Sequence, residues 1–263
     1  MAAPGQISAA ERSGAEIARL AELVRGAGSV VALTGAGISV PSGIPDFRSP
    51  GTGLWQNVNP MEVAHIDAFH ADATRFWSFY GQRFASLRDT QPNRAHEALA
   101  ELERAGRLDA VITQNVDMLH RRAGSRELVE VHGSIATSRC LRCPCEIALD
   151  EVRARLAAAD DGVPRCEHCD RPLKPGVVLF GELLNRAALD RASSLCEQAD
   201  LLICVGSSLE VHPVAALPGL TRDAGGAVAI LTQGPTPLDA VAEVRLYGDV
   251  VGELTQLLRA LGL

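Results

Sequence analysis

Val30–Arg48, VVALTGAGISVPSGIPDFR, decides how this chain is read. Val30-Val31-Ala32-Leu33 is a short apolar run, rich in β-branched residues, of the kind found in a parallel strand buried on both faces. It stops at Thr34 and turns through Gly35-Ala36-Gly37. Glycine permits positive φ there and leaves no Cβ between the backbone amides and an approaching pyrophosphate. The pattern is that of a phosphate-binding turn after the first strand of a Rossmann-like sheet. A G-x-G-x-x-G fingerprint would need a third glycine where Val40 stands. Pro41 and Pro45 interrupt the helix that should follow, and Asp46-Phe47-Arg48 sets a carboxylate, a ring and a guanidinium beside the turn. A hydride-transfer dehydrogenase is disfavoured.

With 263 residues, 47% hydrophobic and 22% charged, the chain fits one sizeable domain or a large domain carrying a small insert. A net charge of −7 lacks the basic footprint of a nucleic-acid binder, so no direct nucleic-acid partner is expected. No apolar stretch has the length of a membrane span, and the N-terminus has no basic-then-apolar signal pattern, so no membrane partner is expected either. Residues 1–13, MAAPGQISAAERS, read as a frayed tail. Seven cysteines, four of them in two CxxC pairs, indicate a metal site in a reducing cytoplasm rather than a disulfide framework. Cytoplasmic location is the matching expectation.

Taken in order, Ala15–Arg25 puts Ile17, Leu20, Leu23 and Val24 at helical spacing and predicts an amphipathic helix over the first strand. Residues 49–60 are rich in Gly, Pro and Asn and predict a loop long enough to act as a lid. Pro60–Leu87 carries apolar and aromatic residues at near-helical spacing, read as helical core and pocket wall inserted in the nucleotide fold. His96–Arg104 is a further helix, and Ala110-Val111-Ile112 a buried strand. That strand delivers Gln114-Asn115-Val116-Asp117 at its C-terminal end, where open α/β sheets bind ligands. Asn115 and Asp117 are two apart and face one side of an extended segment. Ala199–Val205 is another strand, followed by a second glycine turn, Gly206-Ser207-Ser208, whose amides and hydroxyls suit phosphate or ribose oxygens. Ala227–Leu231 precedes Thr232, and Gly252–Leu261 closes the chain as a helix. Cys196 and Cys204, in apolar company, read as inert core thiols.

Cys140 and Cys143 form one CxxC pair, Cys166 and Cys169 the other. Four thiolates on two knuckles can complete a tetrahedral zinc shell with no position left for water, which makes the metal structural. Cys145 and His168 are competing ligands nearby. A zinc ribbon acting as a nucleic-acid binder is disfavoured by Asp160, Asp161, Glu167 and Asp170 around it.

The stretch GAGISVPSGIPDFRSPGTGLW resembles the signature of the sirtuins, the NAD-dependent protein-lysine deacylases. TQNVDMLH at 113–120, VHGS at 131–134, the paired CxxC motifs, KPGVVLFGE at 174–182 and GSSLEVHP at 206–213 follow in the family's order. The resemblance covers the chain from about residue 14 onward. It implies a bacterial-type sirtuin with an α/β fold: a Rossmann-like parallel sheet with helices on both faces, plus a small zinc-ribbon/helical domain. The division expected is 14–48, 88–136 and 176–263 as the discontinuous NAD-binding large domain, 49–87 as cofactor loop and helical insert, and 137–175 as the zinc module.

The activity implied is deacylation of acyl-lysine in protein substrates. The acyl oxygen attacks the ribose carbon of NAD that bears nicotinamide, nicotinamide leaves, and a ribose hydroxyl then attacks the imidate. The products are free lysine and O-acyl-ADP-ribose. His132 is the candidate general base, since an imidazole can accept a proton at cellular pH. The matches imply that Asn115 and Asp117 orient the nicotinamide ribose and carboxamide, that Gln114 contacts the ribose region, and that Val116 walls the nicotinamide site. Phe47 would shield the ribose carbon and Arg48 would approach the phosphates. Gly35, Ala36, Gly37, Val40, Asp46, Gly206, Ser207, Ser208, Thr232 and Val250 complete the NAD contacts expected. Sirtuins usually carry Asn where Thr232 stands, and the shorter side chain puts NAD affinity there in question.

Val177–Phe180 is short and β-like, and the resemblance implies that it pairs with the substrate backbone. Val178, Leu179, Phe180, Gly181 and Glu182 are the substrate contacts expected. Tyr80-Gly-Gln-Arg83 resembles the pair found in sirtuins that remove succinyl or malonyl groups, with both side chains on one helix face. FRSPGTGLW and GSSLEVHP look more like the deacetylase branches. Protein mono-ADP-ribosyl transfer on the same scaffold is the alternative; a non-enzymatic zinc-ribbon adaptor would not need Asn115, Asp117 and His132 together.

Overall fold

The computed structural model describes residues 9–46, 53, 58–88 and 90–263. Among them run nine strands: β1 (Val30–Thr34), β2 (Ala110–Thr113), β3 (Leu128–Glu130), β4 (Gly133–Cys140), β5 (Glu146–Ala148), β6 (Leu173–Val177), β7 (Leu201–Val205), β8 (Ala227–Leu231) and β9 (Val244–Leu246). Six form a parallel sheet in the order β3-β2-β1-β7-β8-β9. Counting only these six along the chain, that is the 3-2-1-4-5-6 order of dinucleotide-binding sheets, with its switch point between β1 and β7.

The expectation for β1 holds because all five of its residues are buried, as are those of β7. Alternation sorts them between two layers. Val30 and Ala32, with Val111, Ile203 and Ala229, pack against Leu20 and Val24 of helix Ala9–Gly26, Leu99 of Arg94–Arg104, and Leu254 and Leu257 of Val250–Leu261. Val31 and Leu33, with Ile112, Leu202 and Ile230, face Ala192 and Cys196 of helix Arg186–Gln198 and Leu217 of Leu217–Asp223. Cys196 and Cys204 are therefore core thiols, and burial pushes Cys196 up to about 12.

Residues 60–88, read as helical, form three helices: Pro60–Val63, Ile66–Ala71 and Ala73–Arg88. The breaks are local. The His65 ring caps the second helix by accepting from the Asp67 amide at 3.1 Å, and the Asp72 carboxylate accepts from Arg75 at 2.9 Å.

The antiparallel sheet β5-β4-β6 carries the cysteines. Its core is shared with the helical insert: Phe76, Trp77 and Phe84 pack with Ile135, Val152, Val163 and Leu179. The Trp77 indole N–H donates to the Leu173 carbonyl at 2.9 Å. The insert and the cysteine segment thus bury one another. No helix among the described residues is long and apolar enough to cross a membrane.

Candidate active site

In-register pairing sets the C-terminal ends of β2, β1, β7 and β8 in one row: Thr113 beside Thr34, Thr34 beside Val205, Val205 beside Leu231. The turns that follow, at Gln114, Gly35, Gly206 and Thr232, line one cleft of about 580 Å³, a size typical of small-molecule sites. The two glycine turns touch. The Gly37 amide donates to the Gly206 carbonyl at 2.8 Å, and a Cβ on Gly35 would stand 2.8 Å from that same oxygen. Gly206 has φ +60, and a Cβ there would meet the Ile38 nitrogen at 2.3 Å. The glycines are required first by this close packing of backbone on backbone. The absence of side chains then leaves the cleft floor open between the turns, as a pyrophosphate needs. A 3-10 helix, Ala36–Ser42, follows at once, with Pro41 inside it.

Polar groups cluster mid-cleft. The His132 ring stands just past β3, and its Nδ1 donates to the Gln114 carbonyl at 3.0 Å. A carbonyl only accepts, so the proton sits on Nδ1 and Nε2 keeps its lone pair. Burial lowers the pKa of His132, partly countered by that hydrogen bond. Gln114 donates to Ser207 Oγ at 2.9 Å, linking the ends of β2 and β7. Asn115 donates to the Gly35 carbonyl and to Ser39 Oγ, both at 3.1 Å. Ser39 donates to Asp117 Oδ2 at 2.7 Å, while the Leu119 amide donates to Oδ1 at 2.9 Å. Burial raises the Asp117 carboxyl, and these two bonds act in the opposite sense.

The other branch is apolar: Phe79, Tyr80, Phe84, Val116, Ile135 and Leu179 line it. Tyr80 stacks on Phe76 with ring centroids 4.5 Å apart. The strand predicted at Val177–Phe180 lies earlier, ending at Val177. The Val178 amide donates to the His132 carbonyl at 2.8 Å, and Phe180 pairs with Ala64 and Ile66 at 2.9 and 3.0 Å. The Leu179 amide is turned to the Glu182 carboxylate, 2.8 Å away, which also pairs with buried Lys174 at 2.9 Å. The amides of three consecutive residues, Val178, Leu179 and Phe180, are thus held from inside, and the exposed rim of the segment is Phe180 and Leu183.

Of the residues expected to bind, Gly35, Ala36, Gly37, Asp46, Gln114–Asp117, His132, Val178–Glu182, Gly206–Ser208, Thr232 and Tyr80 all line the cleft. Val40 and Val250 do not: Val40 is exposed, and Val250 packs in the sheet core. Phe47, Arg48, residues 49–52 and 54–57 of the predicted 49–60 loop, and the Arg83 side chain lie outside the described residues.

Away from the cleft, Cys140, Cys143, Cys166 and Cys169 bring their sulfurs within 4.8 Å of one another. Sulfurs on a tetrahedron of Zn–S bonds of about 2.3 Å would be about 3.8 Å apart. The closest pairs here are 3.4, 3.5 and 4.0 Å. The donor set and its spacing fit a structural zinc ion, and Cys145 is not one of the four.

A sequence model described as the Sir2 family matches residues 35–213. The chain belongs to the Sir2 family. Among curated members, it is 42% identical over 230 residues to the NAD-dependent protein deacylase 1 of Archaeoglobus fulgidus, covering 88% of this chain and 91% of that one. It is 42% identical over 221 residues to the NAD-dependent protein deacetylase of Thermotoga maritima, covering 84% and 88%. A solved Sir2 structure with a p53 peptide and NAD+ superposes with a TM-score of 0.85 at 38% identity, covering 93% of this chain and 98% of that one.

Ser39, which lines the cleft, and His96, buried behind it, are two supports of the site in this Sir2-family chain that the sequence pattern did not reveal. Ser39 lies inside the quoted GAGISV motif, but nothing in its neighbours marks it as the bridge between Asn115 and Asp117. His96 belongs to a capping box, its ring accepting from the Asn93 amide at 3.3 Å, and its Nε2 faces Ser39 at 3.3 Å. The Asn-x-x-His spacing at a helix start was the available signal. Behind them His120 contacts Thr34 Oγ1 at 2.9 Å and stacks edge-on against His96.

Burial pushes His96 down to about 4 and His120 well below its usual value. Both folded pKa values lie below the unfolded one, so between them only the unfolded chain takes up protons. Stability is full above pH 6.5 and falls as pH drops toward 4. For His96, the drop from 6.5 to about 4 corresponds to on the order of 3 kcal/mol. Denaturant midpoints at pH 7 and pH 4.5 should therefore differ more in the wild type than in His96→Gln. Equal shifts in the two proteins would refute this.

Proposed function

We propose that the protein is an NAD-dependent protein-lysine deacylase, with acyl-lysine protein substrates. The observation that carries this reading is the meeting of two environments in one cleft: glycine turns at the switch point of the sheet, and an apolar branch, joined at His132, Asn115 and Asp117. When bound, NAD supplies the electrophilic ribose carbon and the nicotinamide leaving group, and the acyl group ends on ADP-ribose. His132 acts as general base through Nε2, its tautomer held by Gln114. Asn115 and Asp117 orient the ribose and carboxamide, fixed in turn by Ser39. Phe79, Phe84 and Ile135 exclude water along the acyl branch. Because His132 works as the neutral ring and its pKa is lowered, kcat/KM should fall only below pH 6.5, on the acid side.

Tyr80 lines the apolar branch, and Arg83 is three residues further along the same helix, Ala73–Arg88, a sequence spacing that suits a reader of a terminal carboxylate on the acyl group. The test is NAD-dependent acyl release from matched acetyl-lysine and succinyl-lysine peptides by wild type and Arg83→Met. Succinyl release lost in the variant, with acetyl release intact, supports a carboxylate reader beside a deacetylase. Acetyl release alone, indifferent to the substitution, leaves a plain deacetylase. No release from either peptide moves the reading to ADP-ribosyl transfer or to a different acyl chain.

A further inference from the structure

Five cysteines, not four, gather in the small domain. Cys140, Cys145 and Cys166 share one buried cluster with Leu173, and Cys145 is 8% exposed. Its thiol is directed toward the second knuckle, where Glu167 and His168 lie between the two zinc cysteines. The Cys145 sulfur, a Glu167 oxygen and a His168 nitrogen all come within 4.8 Å of one another. We propose that Cys145, Glu167 and His168 form a second metal site beside the tetrathiolate, suited to a divalent transition ion of borderline softness such as Zn2+ or Co2+.

The donor chemistry supports this. One thiolate, one imidazole and one carboxylate are the ligands such ions favour, and three protein ligands leave a fourth position for water or a small anion. Ligand atoms in such a shell stand about 3.3–3.7 Å apart, given metal bonds of about 2.0–2.3 Å. Closing from 4.8 Å needs a shift of about 1 Å. Glu167 and His168 can make it, with side chains 59% and 65% exposed. Glu167 Oε2 faces Arg155 at 3.4 Å, while Oε1 lies on the His168 side, 3.6 Å from Nε2, so both ligand atoms can turn to one ion.

Charge and scaffold act in the same direction. A zinc ion on four thiolates carries a net charge of about −2, a strong local attraction for a second cation. The two segments that bear the new ligands are already fixed. The Cys140 amide donates to the Cys145 carbonyl at 2.8 Å, the Cys166 amide to Arg171 at 2.8 Å, and the Asp170 amide to Cys166 at 2.9 Å. Zinc on Cys143 and Cys166, close in sequence to this site's ligands, would tie these two segments together and preorganise the second site. With one ligand fewer and exposed partners, this site is the weaker and the faster to exchange. Binding releases the Cys145 thiol proton to solvent as the S–metal bond forms.

The experiment is a Co2+ titration of the full chain already holding its first zinc, followed by thiolate-to-cobalt charge-transfer absorption and by metal analysis after removal of free ions. The wild type should take up one equivalent of Co2+ with a thiolate band while keeping its zinc. Cys145→Ser should weaken that uptake by more than about 100-fold, more than the loss of an outer-shell partner costs. His168→Ala, at an exposed position, should weaken it too and leave zinc content and fold intact. No second equivalent in the wild type overturns the proposal. So does a Cys145→Ser protein that loses the first zinc, because Cys145 would then belong to the tetrathiolate. A thiolate band of undiminished affinity in His168→Ala overturns it as well, since that signal marks cobalt exchanging into the four-cysteine site.

Discussion

His132→Ala is expected to reduce NAD-dependent deacylation by roughly 100- to 10,000-fold while the protein stays folded and zinc-loaded, the usual weight of a general base. The ring has a single hydrogen bond among the described residues, Nδ1 to the Gln114 carbonyl, and lies at the end of a strand rather than in either sheet core. Its removal should therefore leave the melting temperature nearly unchanged, because the Gln114 carbonyl borders the cleft and can turn to water. The expected signature is a fall in kcat with little change in the affinity for ADP-ribose, since the glycine turns are untouched. The acid limb of the pH profile should vanish with the ring. Turnover retained within a few-fold, or a residual activity with the same acid limb, would take the base assignment away from His132 and move attention to the Ser39–Asp117 pair.

The sheet was legible because its strands are continuous apolar runs ending in glycine or polar turns: Val30–Leu33 and Ala110–Ile112 behave as read, and the strand expected at Ala199–Val205 begins two residues later, at Leu201. Asn115, Asp117 and His132 were legible as types of residue at strand ends. Their supports were not. Ser39 meets Asp117 only because β1 and β2 pair in register, which carries a residue after β1 across to one after β2. The same limit applied to the insert. Aromatic residues at helical spacing announced a buried face at Phe76, Trp77 and Phe84, but not that the cysteine segment would cover it. Periodicity says that a face is buried and is silent about against what. The glycines gave a third lesson: Gly35, Gly37 and Gly206 were read as room for a ligand, and the structure shows that they first make room for each other.

Cys143→Ser is expected to lower zinc from one equivalent to well below one and to destabilise the small domain as a unit. Structural zinc sites contribute on the order of 10 kcal/mol to the folding of the segments they close. The cysteine end has little else: apart from the sulfurs its cluster contains Leu173, with Ile147 at its margin. The other end of the same segment is better supplied, through Ile135, Val152 and Val163 against Phe76 and Trp77. Loss of zinc should therefore fray the knuckles first and loosen β6 next, because the Trp77 N–H bond to Leu173 and the Lys174–Glu182 pair both hang on that strand. Those two contacts hold Leu179 and Glu182 in place, so acyl-peptide binding should weaken while ADP-ribose binding, seated on the six-stranded sheet, persists. Metal analysis, melting curves with and without chelator, and calorimetry with each ligand separate these effects. A variant that keeps a full equivalent of zinc and an unchanged melting curve would show that Cys145 has taken the fourth position. The tetrathiolate would then be Cys140, Cys145, Cys166 and Cys169.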